Sequence, residues 1–564
     1  MGSCTSIVMT LGCAPQQEGL ERRTTEFCEG KLSPTSIYSL LHRECHRLFP
    51  DESFADLFRD MGRRSIPPRI VAVVMVLQRL EGLSDREAVE RFTFDVRWKY
   101  AAGGLDLEYP AFVHTVLVDM RARLRASKEP ERIFKTVLEV ATSAGLVGRR
   151  RVLDSTPLYD AVATQDTVTM IRSAVRGLLR SADESMASAL REVLKRDDEY
   201  ATAGKPMCDW EDRAAREALV DALARDAYAV LAYLEGRELD DEVKKAAELV
   251  ATVVGQDVEP TEDGRFRIAR RVAPDRVIST VDPETRHGHK TAARGFDGYK
   301  GHIALDPDSE IITSTTVTAG NVADGAVAKE LLEESLPSVA PLKKGSVNAC
   351  EGEPDAPAAM ATSTRAEGTR APLSEPIEVY GDASYGTAEV LTHLEEKGAR
   401  AKVKVQAPSM HEGLFSKDAF RIDLANNTVT CPNERLVSIR RSKDGSGMAE
   451  FGLACKACPL APSCTTSKRG RTIRLHKHER QLLQERANQK NPAWRASYKA
   501  TRPKVERKLA HLMHRRHGGR RARVRGTERI AQDFAMRSAA VNLNRLAILG
   551  LHSLERSGQP AWSV

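Results

Sequence analysis

The chain has 564 residues, of which 41% are hydrophobic and 29% charged, and this composition excludes a fibrous repeat and a wholly disordered chain. At about 100–200 residues per domain, the length predicts three or more folding units. The formal net charge of +7 is informative only if it is concentrated in one part of the chain.

The longest apolar run, residues 70–77, is far shorter than the roughly 20 residues of a membrane-spanning helix, so no membrane segment is expected. The first residues match an N-myristoylation pattern but lack the regions of a signal peptide, and residues 1–32 are predicted to be a loose tail. Four of the ten cysteines crowd into one stretch, which does not indicate a disulfide framework. A reducing cytoplasm is therefore the predicted location.

Helical spacing of apolar residues dominates residues 34–124. It predicts one helix that Gly82 ends and a following helix that Ser84 caps, with Glu87 in the capping-box position. A helix-turn-helix reader of DNA has this pattern, and so does a plain helical packing domain. The arginines that favour the DNA interpretation are Arg63, Arg64, Arg69, Arg79, Arg86 and Arg91.

Residues 149–159 (RRRVLDSTPLY) predict a short strand that ends at Asp154 and a turn-forming Ser-Thr-Pro. Helical spacing returns from residue 164 to 258 and predicts a helical insertion of roughly ninety residues. Alternating β-branched residues then predict adjacent antiparallel strands in VISTVDPET (residues 277–285), GYKGHIALD (298–306) and EIITSTTVTAG (310–320).

Residues 341–376 lack periodicity and are predicted to be a surface linker or disordered loop. The sequence after them predicts a strand, a helix and a strand, with Asp382 just past the carboxyl end of the first strand, where ligand sites of α/β sheets lie. Asp282 and Asp306 also lie near strand ends, but a proline after the first and a turn after the second favour structural roles.

A CxxC pair with two further cysteines nearby suits tetrahedral thiolate coordination. The predicted ligands of a structural zinc ion are Cys431, Cys455, Cys458 and Cys464. His476 or His478 could replace one thiolate, and four unbound reduced thiols are the alternative.

Between residues 468 and 529 there are roughly twenty Lys and Arg against four acids, which fits a footprint for the phosphate backbone of DNA. A solvated charged tail is the alternative for residues 515–526, although apolar helical sequence resumes after them. Trp494 and Tyr498 could stack on bases, but lone aromatic residues on a helix belong more often to a core. The densest basic residues are Arg515, Arg516, Arg520, Arg521, Arg523 and Arg525.

Asp154, Asp382 and Glu506 suggest a common role, because carboxylates can hold two divalent ions about 4 Å apart at a scissile phosphodiester. Hard oxygen ligands favour magnesium or manganese. Taken singly, each acid is more often structural, and Glu506 could simply form ion pairs with its basic neighbours.

These segments resemble the DDE-type transposases of bacterial insertion sequences, in the branch with an N-terminal helical domain and a cysteine-rich insertion. The resemblance runs in patches over most of residues 33–550. It rests on SIPPRIVAVVMVLQRLEGLSDREAVERF, VLDSTPLYDA, GYKGHIALD, VTAGNVADG, YGDASYGT, the cysteine cluster, RPKVERKLAHLMHRRHGGRRARVRG and AAVNLNRLA.

The resemblance implies an α/β fold: an RNase H-like mixed-sheet catalytic core with a helical insertion, a small cysteine-rich module and an N-terminal all-α DNA-binding domain. The implied division is a tail (1–32), the helical domain (33–135), the first part of the core (136–163), the helical insertion (164–265), core strands (266–340), the linker (341–376), the strand with the second acid (377–410), the cysteine-rich module (411–485) and the basic helical end of the core (486–564).

By the same resemblance, Asp154, Asp382 and Glu506 are the three catalytic acids and ligands of two Mg²⁺ or Mn²⁺ ions. Arg502 and Lys504 would hold the DNA backbone at the scissile phosphate. The family signature around the third acid is incomplete here. Tyr498 lies one residue too far upstream, and Met513 stands where a Lys is expected, a change for which Lys508 or His514 could compensate.

The implied function is a transposase that binds terminal inverted repeats, cleaves them by metal-dependent hydrolysis and joins the 3′ ends to target DNA. Its implied partners are double-stranded DNA and a second copy of the chain, in the bacterial cytoplasm with the nucleoid. Two alternatives remain: a metal-dependent nuclease that does not join strands, and an inactive, domesticated DNA-binding protein.

Overall fold

The computed structural model describes residues 9–10, 12, 24–196, 198, 200–291, 293–336, 375–408, 413–554 and 560–562. Most of the predicted tail and of the predicted linker lies outside these residues. The described chain is a mixed α/β structure with many helices and one six-stranded mixed sheet. No helix in it is long and apolar enough to cross a bilayer.

The N-terminal part is helical apart from two short paired strands. These elements are β1 (Met9–Thr10), α1 (Thr24–Cys28), α2 (Ile37–Leu48), β2 (Arg63–Arg64), α3 (Pro68–Glu81), α4 (Asp85–Phe94), α5 (Val96–Ala101), α6 (Thr115–Ala126) and α7 (Arg132–Ser143).

Helix α3 is the most buried of these helices, and even the side chain of Arg79 on it is buried. The helix ends at Gly82, whose φ of 69° is left-handed, and a Cβ there would lie 2.5 Å from the carbonyl oxygen of Arg516. Ser84 and Glu87 make both bonds of a capping box at the start of α4. The two predicted helices and their boundary are confirmed.

The next part contains one long strand, four helices and a short hairpin. They are β3 (Arg150–Tyr159), α8 (Thr167–Ser181), α9 (Glu184–Val193), α10 (Arg213–Leu234), α11 (Asp241–Asp257), β4 (Val258–Pro260) and β5 (Phe266–Ile268). The four helices pack their apolar faces into a core of their own. Helices therefore lie where the apolar spacing after β3 predicts them.

Strand β3 continues through the Ser-Thr-Pro that predicts a turn, so the prediction that it ends at Asp154 is wrong. The strand tolerates Pro157 because its pairing with the parallel neighbour stops at Val152. Further on, the N–H of Tyr159 donates to the carbonyl of Arg520. Residues two apart on a strand face the same edge, so the missing N–H of Pro157 falls where no strand requires it.

The sheet is completed by strands and helices in the order β6 (Arg286–Thr291), β7 (Arg294–Leu305), β8 (Ile312–Ala319), α12 (Ala328–Leu332), β9 (Glu378–Gly381), α13 (Ala388–Glu396) and β10 (Arg400–Val403). The strand order is β10-β9-β3-β7-β6, and β8 also pairs with β7. Strands β3, β9 and β10 are parallel, whereas β7 is antiparallel to β3, β6 and β8. The predicted antiparallel pairing of β7 with β8 is confirmed.

The sequence also predicts a strand at residues 277–285, and this prediction is wrong, because no strand forms there. Two of their backbone N–H groups donate hydrogen bonds to glutamine side chains instead of to a neighbouring strand. The N–H of Val277 donates to the side chain of Gln256, and the N–H of Thr280 donates to that of Gln165. Strand β6, which no pattern predicts, pairs with β7 in their place.

The C-terminal part begins with two three-stranded sheets and ends in long helices. Its elements are β11 (Arg421–Asp423), β12 (Thr428–Thr430), β13 (Leu436–Ser438), β14 (Arg440–Arg441), β15 (Gly447–Glu450), β16 (Thr472–Leu475), α14 (Glu479–Asn488), α15 (Pro492–Leu512), α16 (Thr527–Ile548), β17 (Leu551–Leu554) and β18 (Pro560–Trp562).

Helix α16 packs against α3 and α7 and brings a buried aspartate to the N-terminal helices. Asp533 lies 2.8 Å from Arg79 and 3.4 Å from Arg537, and these side chains are 9%, 6% and 4% exposed. We call these three residues the interface cluster. Arg79, one of the arginines that favour a helix-turn-helix reader, is thus committed to packing.

Candidate active site

Two of the three predicted acids meet at the junction of β3 and β9. In the parallel register of these strands Val152 lies opposite Tyr380, so Asp154 and Asp382 both follow two residues later. Asp382 comes directly after β9, which confirms the predicted strand end. The carboxylate of Asp154 also accepts the N–H of Ser155 at 2.9 Å.

Helix α15 places one guanidinium against both carboxylates. Arg502 lies 2.8 Å from Asp154 and 3.6 Å from Asp382. Burial lowers the pKa of Arg502. The bond to Asp154 and the charges of both aspartates raise it by more than burial lowers it, so the pKa lies above its usual value. We call Asp154, Asp382 and Arg502 the acid cluster.

The aromatic residues of α15 fix the helix on the strand ends. Trp494 and Tyr498 are buried and stack on each other, with ring centroids 5.0 Å apart. Tyr498 donates to the carbonyl of Gly381 at 3.2 Å, and Trp494 donates to Glu485 at 3.0 Å. Both are core residues, which agrees with the more common role of such aromatics.

Asp154 and Asp382 line a cavity of about 340 Å³ together with a third aspartate that the sequence interpretation misses. Asp324 follows β8 and accepts hydrogen bonds from Lys300 at 2.9 Å and from the hydroxyl of Ser155 at 2.7 Å. The segment VTAGNVADG contains it, but the sequence alone does not distinguish it from an ordinary turn residue.

Three aspartates and two lysines, Lys290 and Lys300, bring charge to the cavity. Burial raises the pKa of Asp382, nearby Arg502 lowers it, and the negative charges of Asp154 and Asp324 raise it again. The donor atoms are carboxylate oxygens, which fit a hard divalent ion such as Mg²⁺ or Mn²⁺. Among the described residues, no group of three or more His, Cys, Asp or Glu side chains is arranged to hold a metal ion.

Glu506, the third predicted acid, is not part of this arrangement. It lies on α15 one turn after Arg502, its side chain is exposed, and it is not among the residues that line the cavity. Lys504 lies two residues from Arg502 and therefore on the opposite side of the helix, where it contacts Asp308 at 3.5 Å.

The residues considered as substitutes for the missing signature Lys have different surroundings. Lys508 is buried, and burial lowers its pKa to about 8. Met513 is also buried, whereas His514 is exposed and accepts the N–H of Arg516.

The arginine-rich stretch, residues 515–526, is docked on two parts of the protein. Arg520 donates to the hydroxyl of Thr156 on β3 at 2.7 Å. Arg523 donates to the carbonyls of Gly82 and Leu83 beyond α3. The interpretation of this stretch as a free tail is therefore wrong, although Arg515, Arg516, Arg521, Arg523 and Arg525 keep exposed side chains.

One small cavity of about 20 Å³ is lined by all four clustered cysteines, Cys431, Cys455, Cys458 and Cys464. Burial raises the pKa of the Cys464 thiol, nearby Arg471 lowers it, and the negative charges of the other three cysteines raise it again. Neither His476 nor His478 lines this cavity; His476 lies 3.5 Å from Glu389 instead.

Two transposase family models match the chain. One, described as a transposase domain (DUF772), covers residues 33–123, and the other, described as a transposase DDE domain, covers residues 430–547. The resemblance to insertion-sequence DDE transposases is confirmed. The transposase DDE match includes Arg502 and Glu506 but neither Asp154 nor Asp382. No curated protein and no solved structure matches the chain.

Proposed function

We propose that this chain is a DNA transposase that binds the terminal inverted repeats of its insertion sequence, cleaves the ends by metal-dependent hydrolysis and joins the 3′ ends to target DNA. The observation that carries the proposal is the meeting of Asp154 and Asp382 at the ends of parallel strands, with Arg502 between them. The strand order, with antiparallel β7 on one side of β3 and parallel β9 on the other, supports an RNase H-like core.

In this proposal Asp154, Asp382 and Glu506 hold two Mg²⁺ or Mn²⁺ ions, which when bound activate a water or 3′-hydroxyl and stabilise the leaving oxygen. Arg502 orients both aspartates, and its guanidinium can also bond a phosphate oxygen of the scissile strand. Glu506 is included because its exposed carboxylate lies one turn from Arg502.

The proposed DNA contacts extend from the acid cluster over the basic stretch. They are Arg502, Lys504, Arg515, Arg516, Arg520, Arg521, Arg523 and Arg525. The docking of residues 515–526 on β3 supports a path for the phosphate backbone beside the acids. We propose that the N-terminal helices read the repeats and that two copies of the chain pair two ends. The protein is proposed to act with the nucleoid. We also propose the domain division that the resemblance implies.

The cysteine cavity is proposed to hold a structural zinc ion. The support is that four thiols line one small cavity, a donor set that suits Zn²⁺. Metal analysis of the purified chain should find one zinc per chain, which Cys455→Ser should remove. Cys208→Ser, outside the cavity, is the control, and a zinc-free wild-type protein contradicts the proposal.

The decisive experiment incubates the full chain with labelled DNA spanning the flanks of its own gene, with Mg²⁺ or Mn²⁺. The wild type should yield cleaved and joined products, whereas Asp154→Asn, Asp382→Asn and Glu506→Gln should bind the ends but yield neither. Asp263→Asn, on the exposed turn between β4 and β5, is the matched control and should stay active. Cleavage without joining favours the nuclease, and binding without any metal-dependent product favours the inactive DNA-binding protein.

A further inference from the structure

Asp324 connects the two sides of the acid cluster. On one side its carboxylate accepts the hydroxyl of Ser155 at 2.7 Å, and the N–H of the same serine donates to Asp154 at 2.9 Å. Asp324 therefore acts on Asp154 through one residue of β3.

On the other side, the turn that begins at Asp324 packs tightly on the loop that carries Asp382. A Cβ at Gly325 would lie 3.0 Å from the carbonyl oxygen of Ser384 and 2.8 Å from Thr387. Ser384 in turn donates its N–H to Asp382 at 2.9 Å. A shift of this turn would therefore displace the loop that orients the second acid.

The charge of Asp324 is matched by one cation. Lys300 on β7 donates to Asp324 at 2.9 Å and to the carbonyl of Val322 at 2.8 Å, and the two charged side chains are 14% and 11% exposed. Both line the cavity of the acid cluster. Without Asp324, the Lys300 ammonium would face that cavity uncompensated and would repel a cation there.

We propose that Asp324 is a positioning residue of the acid cluster: it holds Ser155 and the Asp382 loop in place, and it offsets the charge of Lys300, one of the two lysines that line the cavity. This inference rests on the proposed function, because it assumes that the cavity binds divalent metal. Asp324 itself need not touch the metal or the DNA.

The test compares Mn²⁺ binding and cleavage in the full chain bound to its end DNA. Bound Mn²⁺ is obtained from the loss of the free-ion EPR signal, with the DNA alone subtracted. Asp324→Asn should weaken Mn²⁺ binding about tenfold, because it removes one negative charge and leaves the positive charge of Lys300 uncompensated. Adding Lys300→Met to this variant should restore most of the affinity, since the pair is then deleted together.

This charge compensation separates positioning from a merely structural role. If Asp324 served stability alone, both variants would lower the melting temperature and leave Mn²⁺ affinity unchanged, which overturns the inference. Asp382→Asn is the reference: if it also binds Mn²⁺ and cleaves normally, the proposed function fails rather than this inference.

A second variant covers the case in which Asp324→Asn does not fold. Ser155→Ala keeps the ion pair and removes only the hydroxyl bond from Ser155 to Asp324, through which Asp324 acts on Asp154, so it should lower the maximal cleavage rate without changing Mn²⁺ affinity. Ser155→Thr retains the hydroxyl and should restore the rate. An unchanged rate in Ser155→Ala contradicts the proposed link.

Discussion

Two clusters of arginine and aspartate in this protein use the same side chains in opposite proportions. In the interface cluster Asp533 lies between two buried arginines, so positive charge is in excess. In the acid cluster one arginine, Arg502, lies between two aspartates, so negative charge is in excess. Asp533 and Arg537 line a cavity of about 10 Å³, whereas Asp154 and Asp382 line one of about 340 Å³ together with Asp324.

The difference shows which observations distinguish a packing role from a binding role. Residue type does not, because both clusters are Arg–Asp contacts at helix surfaces. The proportion of charges and the size of the neighbouring cavity make the distinction: an aspartate between two arginines is electrostatically satisfied, and carboxylates in excess at a wide cavity attract a cation.

The largest expected effect is on the interface cluster. Asp533→Ala leaves Arg79 and Arg537 buried without a carboxylate, and should cost about 3–5 kcal/mol of unfolding free energy. Chemical denaturation followed by circular dichroism measures it. Glu217→Ala, which breaks an exposed pair with Arg213 on α10, should change nothing measurable. Equal effects would refute the packing role of Asp533.

Each region also contains a buried neutral histidine. Burial lowers the pKa of His302, which contacts Tyr385, and of His517, near α3, to about 4. An unfolded histidine titrates near pH 6.5. Each buried histidine therefore makes its full contribution to the free energy of unfolding above that pH, and about 3 kcal/mol of it is lost as the pH falls toward 4.

Denaturation at pH 7 and pH 4.5 tests this expectation. His302→Gln and His517→Gln should each lose less stability on acidification than the wild type. Exposed His289→Gln should follow the wild type. Identical losses in all four proteins would show that other groups govern the acid sensitivity.

A smaller effect of opposite sign is expected in the acid cluster. Burial raises the pKa of Asp382, so its ionised form is disfavoured in the folded state. Protonation then favours folding, and Asp382→Asn should slightly raise the melting temperature at neutral pH, an advantage that disappears as pH falls below the raised pKa. A lower melting temperature at neutral pH would place Asp382 with the packing aspartates.

The smallest effect concerns the exposed arginines of residues 515–526. Arg525→Ala should weaken end binding and reduce the salt slope of the binding constant by about 1, because one phosphate contact is lost. Filter binding over a series of salt concentrations measures the slope. Arg213→Ala, on α10, should leave it unchanged; a slope equal to wild type in Arg525→Ala removes this residue from the proposed DNA path.

Local signals predict much of the fold. The Ser84 capping box and the left-handed Gly82 depend on a few adjacent residues, and the structure confirms both. The position of Asp382 after a strand is also local. Pro157 within β3 depends instead on which strands border it, information that is absent from residues 149–159.

The composition of the acid cluster is the part that sequence predicts least well. Spacing identifies acids, but the contact of Arg502 with Asp154 and the approach of Asp324 arise from elements far apart in the chain. The resemblance indicated the two aspartates that meet and also Glu506, whose place in the site remains a prediction. Arg79 was similarly indistinguishable from a surface arginine until α16 covered it.

The neighbours of β3 have a consequence for translation. This strand pairs with β7, then with β9, and finally borders Arg520–Ala522 near the end of the chain. A nascent polypeptide therefore carries Asp154 long before the ribosome has made the residues that complete its surroundings. A product that stops before α15 contains both aspartates and no Arg502, so a complete acid cluster belongs only to a chain that has been synthesised past Arg502.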